Sequence, residues 1–303
     1  MPNREIFFHS LFSLGSSLCG MEGRVFCHLF QLRINTICST EDRIYKGEMS
    51  MSEKNDDMRE AIDQSDMTAV KGLLQAHPHL LCQPLPPIDT SDRDAPDFNK
   101  KCKQRGQILR YRPVTYASVR AETEILDFLL AAGGDPMEYS NFPLCRAALY
   151  SRCIPTMEML IDHGAKVDRV GNDYGPPLIF AVEGANIDCM RLLLEKGAKI
   201  SGSGESLTQT ITWDALKHAT SFNRRTPGML ALLLEYGADA NSKVPDPSTP
   251  NASALHGAAE KGDIKGVRLL LEHGADPYME NGQGKRPVEV TKNKQVREFL
   301  GKI

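Results

Sequence analysis

The chain has 303 residues, 41% of them hydrophobic, with a formal net charge of −3 and an isoelectric point near 6.3. That balance argues against a dedicated nucleic-acid binder, which is usually basic, and a single Trp leaves no base-stacking platform. No run reaches the roughly 18 uninterrupted apolar residues of a membrane helix.

Residues 1–50 read as an N-terminal extension. Ile6 to Leu18 is partly apolar and follows Arg4, but His9 and four serines interrupt it and no small-x-small cleavage site is convincing. Residues 1–48 carry five basic and five acidic residues, unlike an acid-poor presequence. Met49 and Met51 each open a segment that looks like a cytosolic start, so Met1, Met49 and Met51 are all candidate starts. A disordered or non-native extension is preferred over a targeting signal.

From there the chain repeats itself. Leu129-Leu130-Ala131-Ala132-Gly133-Gly134-Asp135 is echoed by Leu160-Ile161-Asp162-His163-Gly164-Ala165-Lys166 and Leu193-Leu194-Glu195-Lys196-Gly197-Ala198-Lys199. Leu233-Leu234-Glu235-Tyr236-Gly237-Ala238-Asp239 and Leu270-Leu271-Glu272-His273-Gly274-Ala275-Asp276 close the series. The glycines lie 31, 33, 40 and 37 residues apart, the spacing of a stacked repeat array. Each ends an amphipathic pattern, where glycine takes the left-handed conformation that closes a helix. Eleven residues earlier stand Glu122, Cys153, Asn186, Thr226 and Asp263, the expected starts of the second helices. Asn186, Thr226 and Asp263 are good N-caps, and Pro227 suits the first helical position. A stack of this kind is expected to have no pocket and to bind a macromolecule rather than catalyse.

A shorter apolar element precedes each second helix. Ser253-Ala254-Leu255-His256-Gly257-Ala258-Ala259 is the clearest. Its counterparts begin at Arg112-Pro113-Val114, Phe142-Pro143-Leu144, Pro176-Pro177-Leu178 and Asp214-Ala215-Leu216. This resembles the Thr-Pro-Leu-His-x-Ala opening of ankyrin repeats, over residues ~58–303. Asp66, with Val70 and Leu73, marks a first unit in which His77-Pro78 replaces the glycine turn, and Pro287-Val288-Glu289-Val290 opens a terminal partial unit. The expected organisation is an ankyrin repeat domain over 51–303, with units near 54–81, 112–138, 142–168, 176–200, 213–241 and 253–278 and a partial unit at 286–303. The resemblance implies an all-α solenoid of helix–turn–helix units with β-hairpin-like finger loops. Fingers and first helices would form the concave face and second helices the back. It also implies that the histidine of the motif bonds backbone between units, a position that His256 and His218 occupy or neighbour.

Three inserted loops break the regularity. Residues 82–111 pass from the proline-rich Cys82-Gln83-Pro84-Leu85-Pro86-Pro87 through an acidic stretch to Lys100-Lys101-Cys102-Lys103-Gln104-Arg105. A nuclear-localisation or phosphate-contacting patch is one reading; a solvated loop that neutralises its acidic neighbour is preferred. Ser201-Gly202-Ser203-Gly204-Glu205-Ser206 lacks the Gly-Lys-Ser/Thr of a phosphate loop and reads as a flexible finger leading to Trp213. Residues 242–253 contain Thr249-Pro250, a proline-directed phosphorylation pattern for which an unmodified kinked loop is the plainer reading.

Catalytic motifs are missing: no Gly-x-Ser-x-Gly, His-Glu-x-x-His, Walker loop or dinucleotide fingerprint is present. The eight cysteines are scattered without Cys-x-x-Cys, so no metal site is expected, and Cys145 and Cys189 fit as small core or groove residues. His163 and His273 precede turn glycines, where an imidazole can bond the last helix carbonyls. No cofactor and no enzymatic activity are expected.

The expected function is that of an adaptor, scaffold or regulatory subunit that binds another protein. A transcription coregulator is the alternative and an enzyme the least favoured reading. No small-molecule substrate, direct nucleic-acid contact or membrane contact is expected, and the location is cytoplasmic with the nucleus left open. Expected contacts are non-consensus residues on exposed finger tips: Tyr139, Asn141, Arg169, Tyr174, Trp213, Lys243, Asp246, Tyr278, Glu280 and Asn281.

Overall fold

The structure is a computed structural model that describes residues 51–86, 111–149, 154–170, 175–205, 210–221, 227–243 and 251–303. The extension 1–50, most of the inserted loop 82–111 with its basic run, Cys153, Tyr174, Thr226, Asp246 and Thr249 lie outside them. The helices run in consecutive pairs: α1 Met51–Asp63 and α2 Met67–Ala76, α3 Pro113–Arg120 and α4 Thr123–Ala131, α5 Glu138–Leu149 and α6 Ile154–Asp162. They continue with α7 Pro177–Glu183 and α8 Ile187–Glu195, α9 Ala215–Ser221 and α10 Pro227–Glu235, α11 Ala254–Glu260 and α12 Ile264–Glu272, and α13 Pro287–Val290 and α14 Lys294–Leu300. A ribbon of β1 Ser201–Glu205 and β2 Thr210–Asp214 stands between α8 and α9.

The described residues gather into two compact units. The smaller holds 51–61, 66–86, 111–113 and 128–134. In it Asp66 Oδ1 accepts from the amides of Thr68 and Ala69, at 2.9 and 3.0 Å, and so opens α2. A 3₁₀ turn, Pro78–Cys82, follows α2 in place of a glycine finger, because Pro78 cannot continue the helix.

The larger unit holds 62–65, 114–127 and 135–303. First helices α5, α7, α9, α11 and α13 pack in a row, as do second helices α6, α8, α10, α12 and α14. Leu144, Leu178, Leu216 and Leu255 are fully buried in the first row, each three residues before a buried alanine. Leu160, Leu193, Leu233 and Leu270 are fully buried in the second, each four residues before a turn glycine. Burying a leucine contributes about 1.5–3 kcal/mol, and the repeat places one at each of these levels.

Every second helix from α4 to α12 closes the same way. The turn glycines Gly133, Gly164, Gly197, Gly237 and Gly274 have φ between 83° and 102°. The amide of the residue after each bonds the carbonyl five residues earlier: Gly134 to Leu129, Ala165 to Leu160, Ala198 to Leu193, Ala238 to Leu233 and Ala275 to Leu270. The glycine amide bonds the carbonyl three residues earlier. This doubled closure ends the helix and turns the chain sideways into the finger. His163 and His273 meet the expectation for them, each Nδ1 lying 2.9 Å from a carbonyl of the last turn, Met159 and Leu269. Asn186 and Asp263 cap α8 and α12 through the amides of Cys189 and Gly266.

Two local readings are revised. The flexible Gly/Ser finger is a strand, because its opposite arm, Thr210-Ile211-Thr212-Trp213, is rich in β-branched and aromatic residues and supplies a partner. The unit of Pro143 opens earlier than its motif, at Glu138, so Pro143 lies inside α5.

Candidate functional site

The fingers that follow α10 and α12 are built on short Asx turns. Asp239 Oδ1 accepts from the amide of Asn241 at 2.9 Å, and Asp276 Oδ1 from that of Tyr278 at 2.8 Å. A carboxylate two residues before a free amide closes such a turn by itself.

Side chains then tie finger to finger. The residue four beyond a turn glycine reaches the backbone two beyond the next one. Asp168 Oδ1 accepts from the Lys199 amide at 2.6 Å, and Asn241 Oδ1 from the Asp276 amide at 2.8 Å. Asn241 Nδ2 also donates to Gly274 O at 2.8 Å, and Lys243 Nζ to Glu280 O at 3.3 Å. Deeper in, His256 Nε2 donates to Lys285 O at 2.9 Å while Nδ1 faces the Ser253 amide and hydroxyl, at 3.2 and 2.8 Å. This arrangement requires the neutral Nε2–H tautomer. Burial lowers the His256 pKa from the ordinary 6.5, aided by the positive charge of Lys243 and opposed by the bond to Lys285.

The expected contact residues fall into four groups. Tyr139, Arg169, Lys243, Tyr278 and Glu280 are exposed. Tyr278 is the most open large hydrophobic side chain among the described residues, at 56%, and its ring carries the Arg286 guanidinium at 6.0 Å. Tyr139 is 41% exposed, has φ +47° and meets Phe142 edge-on. Asn141 and Asn281 correct the expectation of exposed tips. Asn141 is fully buried at φ +80°, with Nδ2 donating to Lys166 O at 2.7 Å. Asn281 is half-buried and its Oδ1 accepts from the amides of Gln283 and Lys285, which closes the last finger. Trp213 lies in β2 directly opposite Gly202. Tyr174 and Asp246 fall outside the described residues.

Sequence reasoning passed over Asp168 and Asn241. Their shared offset of four from Gly164 and Gly237 is a signal that marks them. The expectation of a pocketless stack is also revised: a groove of about 520 Å³ opens beside α10 and α12, over Leu230, Gly266 and Leu269 and edged by Asp263, Arg268 and Glu272. Among the described residues no cluster of His, Cys, Asp and Glu is arranged to hold a metal ion, and no helix is long and apolar enough to cross a membrane.

Stacked helix pairs, doubly closed glycine turns and fingers bonded to one another define a helical repeat protein. The sequence agrees. The family described as "Ankyrin repeats (3 copies)" matches residues 114–203, and "Ankyrin repeat" matches 251–282. The chain is an ankyrin repeat protein. Among its relatives, Ankyrin repeat protein nuc-2 of Neurospora crassa is 29% identical over 54% of this chain and 15% of its own length. The B-cell lymphoma 3 protein homolog of Mus musculus is 29% identical over 63% and 42%. The chain thus spans well under two thirds of either relative. The crystal structure of the ankyrin repeat domain of Bcl-3, a member of the IkappaB protein family, aligns with a TM-score of 0.57 at 23% identity, covering 85% of this chain and all of that one. The human ASB11 ankyrin repeat domain aligns with a TM-score of 0.57 at 20% identity, over 80% and 95%.

Proposed function

We propose that the chain is a non-enzymatic protein-binding module whose partner lies across the finger row of the larger unit. The observation that carries this reading is the finger-to-finger bonding by Asp168, Asn241 and Lys243. It holds neighbouring tips in fixed register, so that Arg169, Lys243, Tyr278 and Glu280 are presented as one pre-organised surface. Pre-organisation lowers the ordering cost of binding, and an open tyrosine beside an arginine is the composition favoured at interface anchors.

The test is affinity capture with the full chain and mass spectrometry, against a chain carrying Arg169→Ala, Lys243→Ala, Tyr278→Ala and Glu280→Ala together. A protein captured by the first and lost by the second supports the finger row. Equal capture by both would reject it.

Action on a transcription factor is the second reading. Its support is the likeness to a member of the IkappaB family and to the Nuclear factor NF-kappa-B p105 subunit of Gallus gallus, 26% identical over 61% of this chain. The run Lys100 to Arg105 is its candidate nuclear address. Nuclear exclusion of the tagged chain, unchanged by replacing Lys100, Lys101 and Lys103, would count against it.

A further inference from the structure

Residues 281–303 hold six basic and two acidic side chains, in a chain whose formal net charge is −3. Some of these cations are engaged locally. Arg297 Nη2 donates to Thr291 O at 2.6 Å, and Lys294 Nζ lies 3.8 Å from Glu298. Lys285 and Lys302 are exposed, and among the described residues neither side chain has a hydrogen-bond or ion-pair partner.

Tyr278 brings the two ends of this segment together. Its hydroxyl donates to Ile303 O at 2.6 Å, and the Arg286 guanidinium lies 6.0 Å from its ring centroid. Lys285 precedes Arg286 in the chain, and Lys302 precedes Ile303. The backbone beneath is fixed. Asn281 Oδ1 accepts from the Lys285 amide at 3.0 Å, and His256 Nε2 donates to Lys285 O at 2.9 Å. The amides of Lys302 and Ile303 bond the carbonyls of Phe299 and Leu300 at 3.3 Å. The result is an open apolar surface, with Tyr278 56% and Ile303 51% exposed, rimmed by cations at Lys285, Arg286 and Lys302.

We propose that this surface receives an extended acidic peptide of a partner protein. Its carboxylates lie on Lys285, Arg286 and Lys302, and one of its apolar side chains lies on Tyr278 and Ile303. The assignment rests on the chain being a protein-binding module and gives the partner's chemistry at the last finger. Charge and shape select the occupant. Like charges gathered around one ring repel one another, and an anion laid among them removes that repulsion. The exposed carboxylates of Glu280 and Glu289 border the same place, Glu289 Oε2 accepting from the Arg286 amide at 2.6 Å. A nucleic-acid duplex or a lipid surface is broad and presses its phosphates on these acids too, whereas a single peptide strand can follow the cations and avoid them. The Tyr and Arg supply an anchor, and the charges steer and orient the peptide.

Fluorescence polarisation of labelled peptides with the full chain tests this. Each peptide has a central Leu, flanked by Asp and Glu, by Ser and Gly, or by Lys. At low salt the acidic peptide binds about tenfold or more tightly than the neutral one, and high salt erases that margin. Lys285→Glu combined with Lys302→Glu abolishes the margin and transfers it to the Lys-flanked peptide. Lys265→Glu combined with Lys292→Glu makes the same change in net charge beside the α11–α12 and α13–α14 turns, and leaves the margin intact. Amide shifts on adding the acidic peptide centre on Tyr278, Arg286 and Lys302. An acidic peptide that binds no better than the neutral one, a Lys285→Glu, Lys302→Glu chain that keeps the original preference, or a control chain that loses as much would each overturn the proposal. Tighter binding of duplex DNA or phosphatidylserine vesicles at the same amides would overturn it too. The Lys285→Glu, Lys302→Glu chain leaves Arg169, Lys243, Tyr278 and Glu280 in place, which separates this proposal from the finger row. Capture lost only in the four-alanine chain, with no peptide preference, keeps the finger row and rejects the acidic partner. A peptide preference with equal capture by the unmodified and four-alanine chains does the reverse.

Discussion

Gly184 packs so closely on Leu149 that a Cβ added to it would lie 2.3 Å from the Leu149 carbonyl oxygen. Here α7 meets the end of α5, backbone to backbone, with no flexible side chain to move aside. Gly184→Ala therefore forces the two units of the repeat apart and costs at least about 1–3 kcal/mol. Gly72, inside α2, has nothing within 4 Å of its added Cβ. There Gly72→Ala only narrows the unfolded ensemble and stabilises by about 0.5–1 kcal/mol. Urea unfolding followed by circular dichroism checks both. The midpoint is expected to fall for Gly184→Ala and rise for Gly72→Ala.

Asn241 spends both ends of its amide on the next finger, donating to Gly274 and accepting from Asp276. Asn241→Ala forfeits two bonds worth about 0.5–1.5 kcal/mol each. Asn241→Asp keeps the acceptor, but it sets a carboxylate against the Gly274 carbonyl and beside Asp276, so it is expected to be no better than alanine. The amide of Asp276 reports the change. Its hydrogen exchange should quicken in the alanine variant while amides inside α12 stay protected. Uniform quickening would mean that the bond carries global stability rather than finger register.

The repeat was legible because its constraints are local. A glycine at positive φ, a leucine four residues earlier and an Asn or Asp at the head of the helix each answer to their own neighbourhood, so their spacing survives in the chain. His256 was legible for the same reason, through its place in the motif. Asn141 was not: its offset from Pro143 says loop, and only the earlier start of α5 and the approach of Lys166 O bury it. The ribbon was half legible. β2 has strand character, whereas Ser201–Glu205 takes its conformation from the strand opposite.

Asp263 caps α12 through the Gly266 amide at 3.1 Å. Asp263→Ala is expected to cost about 1 kcal/mol, and Asp263→Asn, which retains the acceptor, much less. Thermal melts of the two variants decide this. Equal losses would show that the carboxylate charge at the positive end of α12, rather than the bond, supplies the stability.

His256 makes the array sensitive to acid. The fold holds the imidazole neutral, since Nδ1 must accept from Ser253 and Nε2–H must reach Lys285. Burial lowers its pKa from 6.5, so the unfolded chain binds the proton more readily than the folded one. The stability this supplies is whole above about pH 6.5, and it is lost progressively as pH falls from there through the lowered folded value. A series of melts from about pH 7.5 to about pH 5 should show that decline. His256→Gln can still donate to Lys285 O but has no proton to gain, so it should be less stable at neutral pH and lose the acid-side decline attributable to this residue. If the decline is as steep in His256→Gln as in the unmodified chain, the acid sensitivity arises elsewhere and the buried imidazole is only a structural tie.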